Sequence, residues 1–318
     1  MKRCVLTGAG GFITHHLARY LKKKGYWVRG VDLEKPHFSS PAEMDEFWVM
    51  DLRNPEACDF ACRGIDWAYN LAALNGSIEL TTANQAELLH NNVLVNANMA
   101  EACWKNGVTR AYYASSACVY PIHFQDTDEV HQLVEEDVDP AHPDTEYGWE
   151  KLFSEHIWKA YEHDRGLEVR ISRFFNIYGP ESLIDTLKSK APMALTRKVI
   201  EAGDGGTVEV WGDGKQRRSF CYIDDCVEAI DKLMESDVNT PVNIGTEDLM
   251  EIDQLVDIAA EIEGIKVNKV HQLNKTQGVR TRHADFSKAE NLLGWKKKTE
   301  MVDGMREINK FAHKILGI

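Results

Sequence analysis

Tyr147 and Lys151 stand four residues apart in Glu146-Tyr-Gly-Trp-Glu-Lys151, and Ser115-Ser116-Ala117-Cys118 lies about one structural element earlier. Positions i and i+4 share a face of an α-helix, so a helix here sets the phenol beside the ammonium. A cation in that place favours the phenolate, drawing down a pKa that starts near ~10. Such a phenol can take a proton from a hydroxyl while a hydride acceptor takes the hydrogen on carbon. Tyr-x-x-x-Lys alone arises often by chance and then marks only a solvated helix face. The start of the chain gives the pair its weight.

Arg3-Cys-Val-Leu-Thr7 is a short apolar run that ends at Gly8-Ala-Gly-Gly11, and Phe12 to Lys24 then follows a helical period. Glycines at 8 and 11 let the backbone approach a pyrophosphate. The helix, opening with Phe12 and Ile13, offers free N–H groups and its positive dipole end. A third glycine position is filled by Thr14. Tyr26 to Asp32 reads as a second strand, its terminal carboxylate placed for adenosine ribose hydroxyls. Asp32 would repel a 2′-phosphate, so NAD is expected over NADP. A third strand, Phe47 to Leu52, brings Asp51 and Leu52 near the adenine. A fourth, Trp67 to Ala73, ends in small residues that let the cofactor close in at Ala73.

A long helix is expected over 84–106, a strand from Val108 to Ser116, the Tyr/Lys helix over 145–164, and a strand from Leu167 to Phe175. The alternation implies an α/β fold, a doubly wound parallel sheet of Rossmann type. Residues 1–180 are expected to form the NAD-binding domain and 181–318 mainly a smaller α/β lobe for substrate. Segments around 219–247 are expected to return to the first domain.

With 37 Lys+Arg against 50 Asp+Glu, the formal charge of −13 speaks against nucleic-acid binding. An anionic ligand must be met by local arginines and lysines. Seven cysteines form no CxxC, and no pair completes a metal site around Cys58 and Cys62, so no metal is expected. Reduced thiols point to the cytoplasm. The N-terminus enters a strand directly, without a cleavable hydrophobic segment, and no apolar run approaches the ~20 residues of a membrane span.

Together these motifs resemble the extended short-chain dehydrogenase/reductase family of nucleotide-sugar epimerases and dehydratases, over nearly the whole chain. Several stretches resemble its GDP-mannose 3,5-epimerase subfamily more closely. They are Tyr113 to Pro121, Tyr147 to Lys151, Arg173-Phe-Phe-Asn-Ile-Tyr-Gly-Pro180, Lys190-Ala-Pro192, Trp211-Gly-Asp-Gly214, Arg218-Ser-Phe220 and Gly278-Val-Arg-Thr-Arg282. The resemblance implies an NAD-dependent isomerase that oxidises a GDP-linked hexose at carbon 4, epimerises carbons 3 and 5, and reduces carbon 4 again. The products would be GDP-L-galactose, GDP-L-gulose or both, and NAD would stay bound. A transient 4-ketone acidifies both neighbouring C–H groups, so one side chain must remove a proton and another return one on the opposite face.

That pair is assigned by resemblance to Cys118 and Lys190, with Tyr147 as the redox acid/base. Ser116 would bond the carbon-4 oxygen, and Lys151 would hold the nicotinamide ribose. Arg218 and Arg282 would fork onto the diphosphate, with Lys198 a weaker candidate. Asn176 would bond sugar or phosphate. Without the resemblance, Cys118 is a small buried hydrophobe, Lys190 a solvated lysine and Asn176 a turn cap. The residues after Ser116 lack the acidic pair of the dehydratases. A 4-epimerase or 4-dehydrogenase for a GDP-hexose or GDP-heptose needs only the Ser/Tyr/Lys set and stays open. The subfamily usually carries a methionine- and glycine-rich loop where this chain has Leu74-Asn-Gly-Ser-Ile-Glu79, in which Glu79 is either a sugar contact or a solvated carboxylate. The helices at 84–106 and 145–164 are those the family pairs in a homodimer.

Overall fold

The structure, a computed structural model, describes residues 1–76, 78–184, 189–275 and 277–318, and leaves out the side chains at 78–80. The Glu79 reading therefore lies outside the described residues. The first half runs β1 (Arg3–Thr7), α1 (Phe12–Lys23), β2 (Trp27–Asp32), β3 (Glu46–Val49), α2 (Pro55–Cys62), β4 (Trp67–Asn70), α3 (Ile78–Ala83), α4 (Gln85–Lys105) and β5 (Arg110–Ser116). It continues through β6 (Gln132–Leu133), α5 (Glu146–Arg165), β7 (Glu168–Phe174) and β8 (Ile177–Tyr178). Then come α6 (Ala191–Ala202), β9 (Thr207–Trp211), β10 (Arg217–Ser219), β11 (Cys221–Tyr222), α7 (Ile223–Glu235) and β12 (Val242–Ile244). The chain closes with β13 (Leu249–Glu251), α8 (Ile252–Glu263), β14 (Asn268–Gln272), β15 (Thr281–Ala284), α9 (Ser287–Leu293) and α10 (Met301–Leu316).

Seven strands form one parallel sheet in the order β12-β7-β5-β4-β1-β2-β3. Strand order reverses between β1 and β4, which opens a crevice at their carboxyl ends, where ligands of such sheets bind. The fourth strand stops at Asn70 instead of running to Ala73. The Thr7 hydroxyl takes the Leu71 and Ala72 N–H groups, both at 3.1 Å, out of the ladder and turns the chain over the crevice.

β12 enters the sheet edge beside β7, pairing Val242 with Ser172 through Ile244 with Phe174. A smaller four-stranded sheet has the order β13-β10-β15-β6, so the two-residue strand β6, from within residues 1–180, pairs with the second half. Apolar residues cover both faces of the large sheet. One core joins α1 and α7 and runs on to Val199, Val210 and Leu255 of the smaller lobe, and the other lies under α2, α4 and α5.

A buried ion pair ties α5 to β7. Arg173 reaches Glu155 through Nε (3.0 Å) and Nη2 (2.8 Å), with side chains 3% and 6% exposed. Removing one partner strands the other charge away from water, so Glu155→Ala is expected to lower stability by about 3–5 kcal/mol. Urea unfolding at neutral pH measures this; a loss indistinguishable from zero would refute it.

Candidate active site

The turn after β1 is built for close approach. Gly8 has φ +69°, and a Cβ there would stand 3.0 Å from Ala72 Cα and N. Gly10 donates its N–H to Asp32 Oδ2 at 2.8 Å, which locks the turn to the end of β2. α1 starts at Gly11 with no side-chain cap and no acid in its first turn, leaving its N–H groups for an anion. Phe12 and Ile13 are half-buried in that turn. This cradle fits a dinucleotide diphosphate, with Asp32 set for a ribose and the half-buried Ala73 beyond β4. Leu52 is buried, while Asp51 is engaged by Arg53 through Nε and Nη2.

β5 carries Ser116 to the same edge. Its hydroxyl accepts the Cys118 N–H at 3.2 Å and opens the tight turn Ala117–Val119. α5 packs directly on that turn because residue 148 is glycine, where a Cβ would lie 2.2 Å from the Cys118 carbonyl oxygen. Tyr147 thus lies beside Cys118 and close to the Ser116 hydroxyl. Gly148→Ala must push α5 off the turn, so turnover should fall and the melting temperature drop together. An active, equally stable variant would contradict that reading.

The expected lowering of the phenol by Lys151 is not what the protein alone produces. Burial pushes Tyr147 well above its ordinary value, with Cys118 and Glu150 adding and the nearby Ser116 hydroxyl opposing. The Lys151 ammonium is buried, donating to the Ala114 carbonyl at 3.0 Å and lying over the Tyr147 ring 5.6 Å from its centroid. Burial lowers the Lys151 pKa, opposed by Glu150, Cys118 and Glu155.

Arg282, expected at the diphosphate, is engaged within the protein: its Nη1 lies 3.2 Å from Cys118 Sγ, Nη2 pairs with Asp144 at 3.1 Å and Nε donates to Gln125 at 2.6 Å. Cys118 and Asp144 hold it protonated against burial. Among the described residues Arg218 has no ion-pair partner: it donates to the carbonyls of Arg217, Val279 and Arg280. Burial, then Arg282, draws its pKa down to about 9. A guanidinium keeps its proton at neutral pH, so Arg218 is a cation awaiting negative charge.

Lys190 opens α6, and its Nζ donates to the Gly76 carbonyl at 3.0 Å. Much of its surface is exposed, yet protein surrounds the amine, as for a side chain in a cleft. This surrounding burial, with Arg282, lowers its pKa while Cys118 raises it. Cys118, Lys190, Arg218 and Arg282 are thus electrostatic neighbours. Lys198 and Asn176 are not tied to this group. Lys198 donates to the Glu209 carbonyl at 2.8 Å. Asn176, at φ +43°, donates to the Ser219 carbonyl at 2.8 Å.

His15, His16 and Glu181 converge beside the cradle, within metal-ligand spacing. Arg19 already holds Glu181 at 2.6 Å, and His16 Nε2 faces the Pro180 carbonyl at 3.2 Å, so the group reads as a clasp. Burial, then His15, lowers the His16 pKa from 6.5 to about 4. The unfolded chain therefore binds a proton between those values that the folded one does not, and stability is lost as pH falls through that window. For His16→Gln, the stability loss between pH 7.5 and 5 should shrink by about 2 kcal/mol. Denaturant titrations at both pH values check this, and an unchanged acid slope would refute it.

A model of the NAD dependent epimerase/dehydratase family matches residues 4–245. The chain belongs to this family. GDP-mannose 3,5-epimerase of Arabidopsis thaliana is 40% identical over 303 residues, spanning 95% of this chain and 79% of that protein. GDP-mannose 3,5-epimerase 1 of Oryza sativa subsp. japonica is 39% identical, spanning 96% and 80%. Among solved structures, UDP-glucuronic acid 4-epimerase from Bacillus cereus, with UDP-glucuronic acid and NAD, superposes with a TM-score of 0.84 at 25% identity, covering 98% of this chain and 99% of that one. UDP-glucose 4-epimerase from Thermotoga maritima, at 24% identity and a TM-score of 0.88, covers 99% of each chain and shares the fold.

Family membership makes NAD the cofactor. Asp144, Gln125, Gly148 and Glu150 escaped the sequence reading. Gly148 had a signal, since a glycine inside a helix is unfavourable without a reason such as close approach. The contact between Arg282 and Cys118 spans 164 positions and leaves no local trace. No helix among the described residues is long and apolar enough to cross a membrane.

Proposed function

We propose that this family member is a GDP-mannose 3,5-epimerase, working through a 4-keto sugar. The observation that carries the reading is Cys118 held against the Arg282 guanidinium beside Ser116, Tyr147 and Lys190. A simple 4-epimerase has no use for a second acid/base centre there. The identity to plant GDP-mannose 3,5-epimerases over almost the whole chain supports it.

When bound, the nicotinamide supplies the hydride acceptor and donor for carbon 4. Ser116 bonds the carbon-4 oxygen, and Tyr147 removes and later returns its proton. Cys118 and Lys190 move the protons on carbons 3 and 5 once the ketone has acidified them. Lys190 is fitted for this because burial moves its pKa toward neutrality. Arg218 meets the diphosphate, with Lys198 and Asn176 as further polar groups on the substrate side. Parallel incubations with GDP-mannose and UDP-glucose, without added NAD and with products resolved by chromatography, test the assignment. Conversion of GDP-mannose supports it; conversion of UDP-glucose to its 4-epimer with GDP-mannose untouched would replace it by the 4-epimerase.

We also propose a cytoplasmic homodimer that pairs α4 and α5. Trp149 and Phe153, four residues apart on α5, are 43% and 54% exposed. Phe153→Glu should yield a monomer by sedimentation. A wild-type monomer at every concentration would remove the proposal.

A further inference from the structure

The contact between Lys190 Nζ and the Gly76 carbonyl makes the resting place of this amine depend on the backbone beyond β4. That backbone is clipped at Leu74 by one side chain. Asn92 of α4 accepts the Leu74 N–H through Oδ1 at 2.6 Å and donates to the Leu74 carbonyl through Nδ2 at 3.2 Å. Its second amide hydrogen goes to Glu150 Oε2 at 3.0 Å. The carboxamide cannot flip without losing all three bonds.

Glu150 is fixed in turn. It is 1% exposed, like Asn92, and also accepts from Ser154 at 2.8 Å and Asn96 at 3.2 Å. Asn96 Oδ1 receives Trp158 Nε1 (3.1 Å) and Asn70 Nδ2 (2.8 Å), and Asn70 receives the Thr7 hydroxyl at 2.7 Å. Glu150 follows Tyr147 by three residues and precedes Lys151 by one. The same buried network therefore ties the redox helix, the end of β1 and the loop under Lys190. A buried polar network with every member satisfied is rigid, and the loss of one partner leaves the others unpaired.

We propose that Asn92, oriented by Glu150, is a positioning residue for Lys190, acting through the Leu74–Gly76 backbone. The proposal rests on Lys190 being an acid/base group of the epimerase. A lysine on its long stem carries considerable rotamer freedom. A fixed carbonyl that receives its ammonium narrows that freedom and holds the amine in the cleft shared with Cys118. Glu150 keeps its bonds from Asn96 and Ser154 when Asn92 is replaced, and no described hydrogen bond joins Tyr147 or Lys151 to Leu74, so the redox step should survive when the clip is removed.

The test uses the holoenzyme with GDP-mannose in deuterated water and reads two steps separately. Reduced nicotinamide, followed at its near-ultraviolet absorbance, reports oxidation at carbon 4. Deuterium in the recovered sugar reports proton exchange at carbons 3 and 5. Asn92→Leu, and the milder Asn92→Ser whose hydroxyl cannot span both Leu74 groups, should keep the first. They should lose the second by roughly tenfold to a hundredfold, in keeping with the cost of small misplacements at a reacting centre. Full exchange in both variants overturns the proposal, as does an equal fall of both steps, which would assign Asn92 to folding alone. Lys190→Ala separates the layers: if it exchanges at the wild-type rate, the acid/base reading fails, whereas its loss beside intact Asn92 variants defeats only the positioning role.

Discussion

Tyr147→Phe is expected to lower turnover by roughly 10³-fold while NAD remains bound, since a positioned acid/base group contributes on the order of 10²–10⁴. The phenol sits at the junction of three elements, and nothing else described there is placed to take the carbon-4 proton. Ser116, its neighbour, already accepts the Cys118 N–H and is too weak a base to replace it. In the protein alone the phenol is held well above its ordinary value by burial, with Cys118 and Glu150 adding. The oxidised nicotinamide carries a positive charge, which favours the phenolate. Phenolate absorbance should therefore emerge at lower pH with oxidised than with reduced cofactor. The difference should vanish in Tyr147→Phe; a difference that survives there would assign it to another tyrosine.

Cys118→Ala and Lys190→Ala should break the reaction at a different place. Each is expected to retain oxidation at carbon 4 and to lose epimerisation by about 10²–10⁴-fold. Cys118 is the only one of the seven cysteines that is not buried, and Arg282 stands against its sulfur at 3.2 Å. Negative charge on that sulfur is met by the guanidinium without rearrangement. Lys190, with its pKa lowered chiefly by burial, lies close enough to the Cys118 sulfur to feel its charge. Single-turnover measurements of nicotinamide reduction beside sugar analysis separate the steps. If Cys118→Ala epimerises at the wild-type rate, Cys118 is a structural thiol and the 4-epimerase becomes the better account.

Sequence order carried much of this and left out a definite part. The alternation from Arg3 to Phe174 predicted the parallel sheet because its strands are apolar runs set off by turns and amphipathic helices. Gly8, Gly11 and Asp32 could be read because the cradle is a local motif whose parts are neighbours in sequence or one strand apart. Ser116, Cys118, Tyr147 and Lys151 lie on two consecutive strand and helix ends, which the sheet must bring to one edge.

Tertiary packing decided the rest. The i+4 spacing put Lys151 beside Tyr147, but the Ala114 carbonyl takes the ammonium's hydrogen bond, and burial dominates the phenol. Arg282 was placed at the diphosphate by resemblance; its bonds to Asp144 and Gln125, distant in sequence, and its contact with Cys118 could not be read locally. The strand β6 has two residues and no periodicity to read. Asn92 and Glu150 look like ordinary polar helix residues until α4 and α5 are set side by side.

The central claim is most directly tested by incubating the purified protein with GDP-mannose in deuterated water and recording NMR spectra of the recovered sugar. We expect deuterium at carbons 3 and 5 and an L-sugar of galacto or gulo configuration. Inversion at carbon 4 with no deuterium at carbons 3 and 5 would contradict the account.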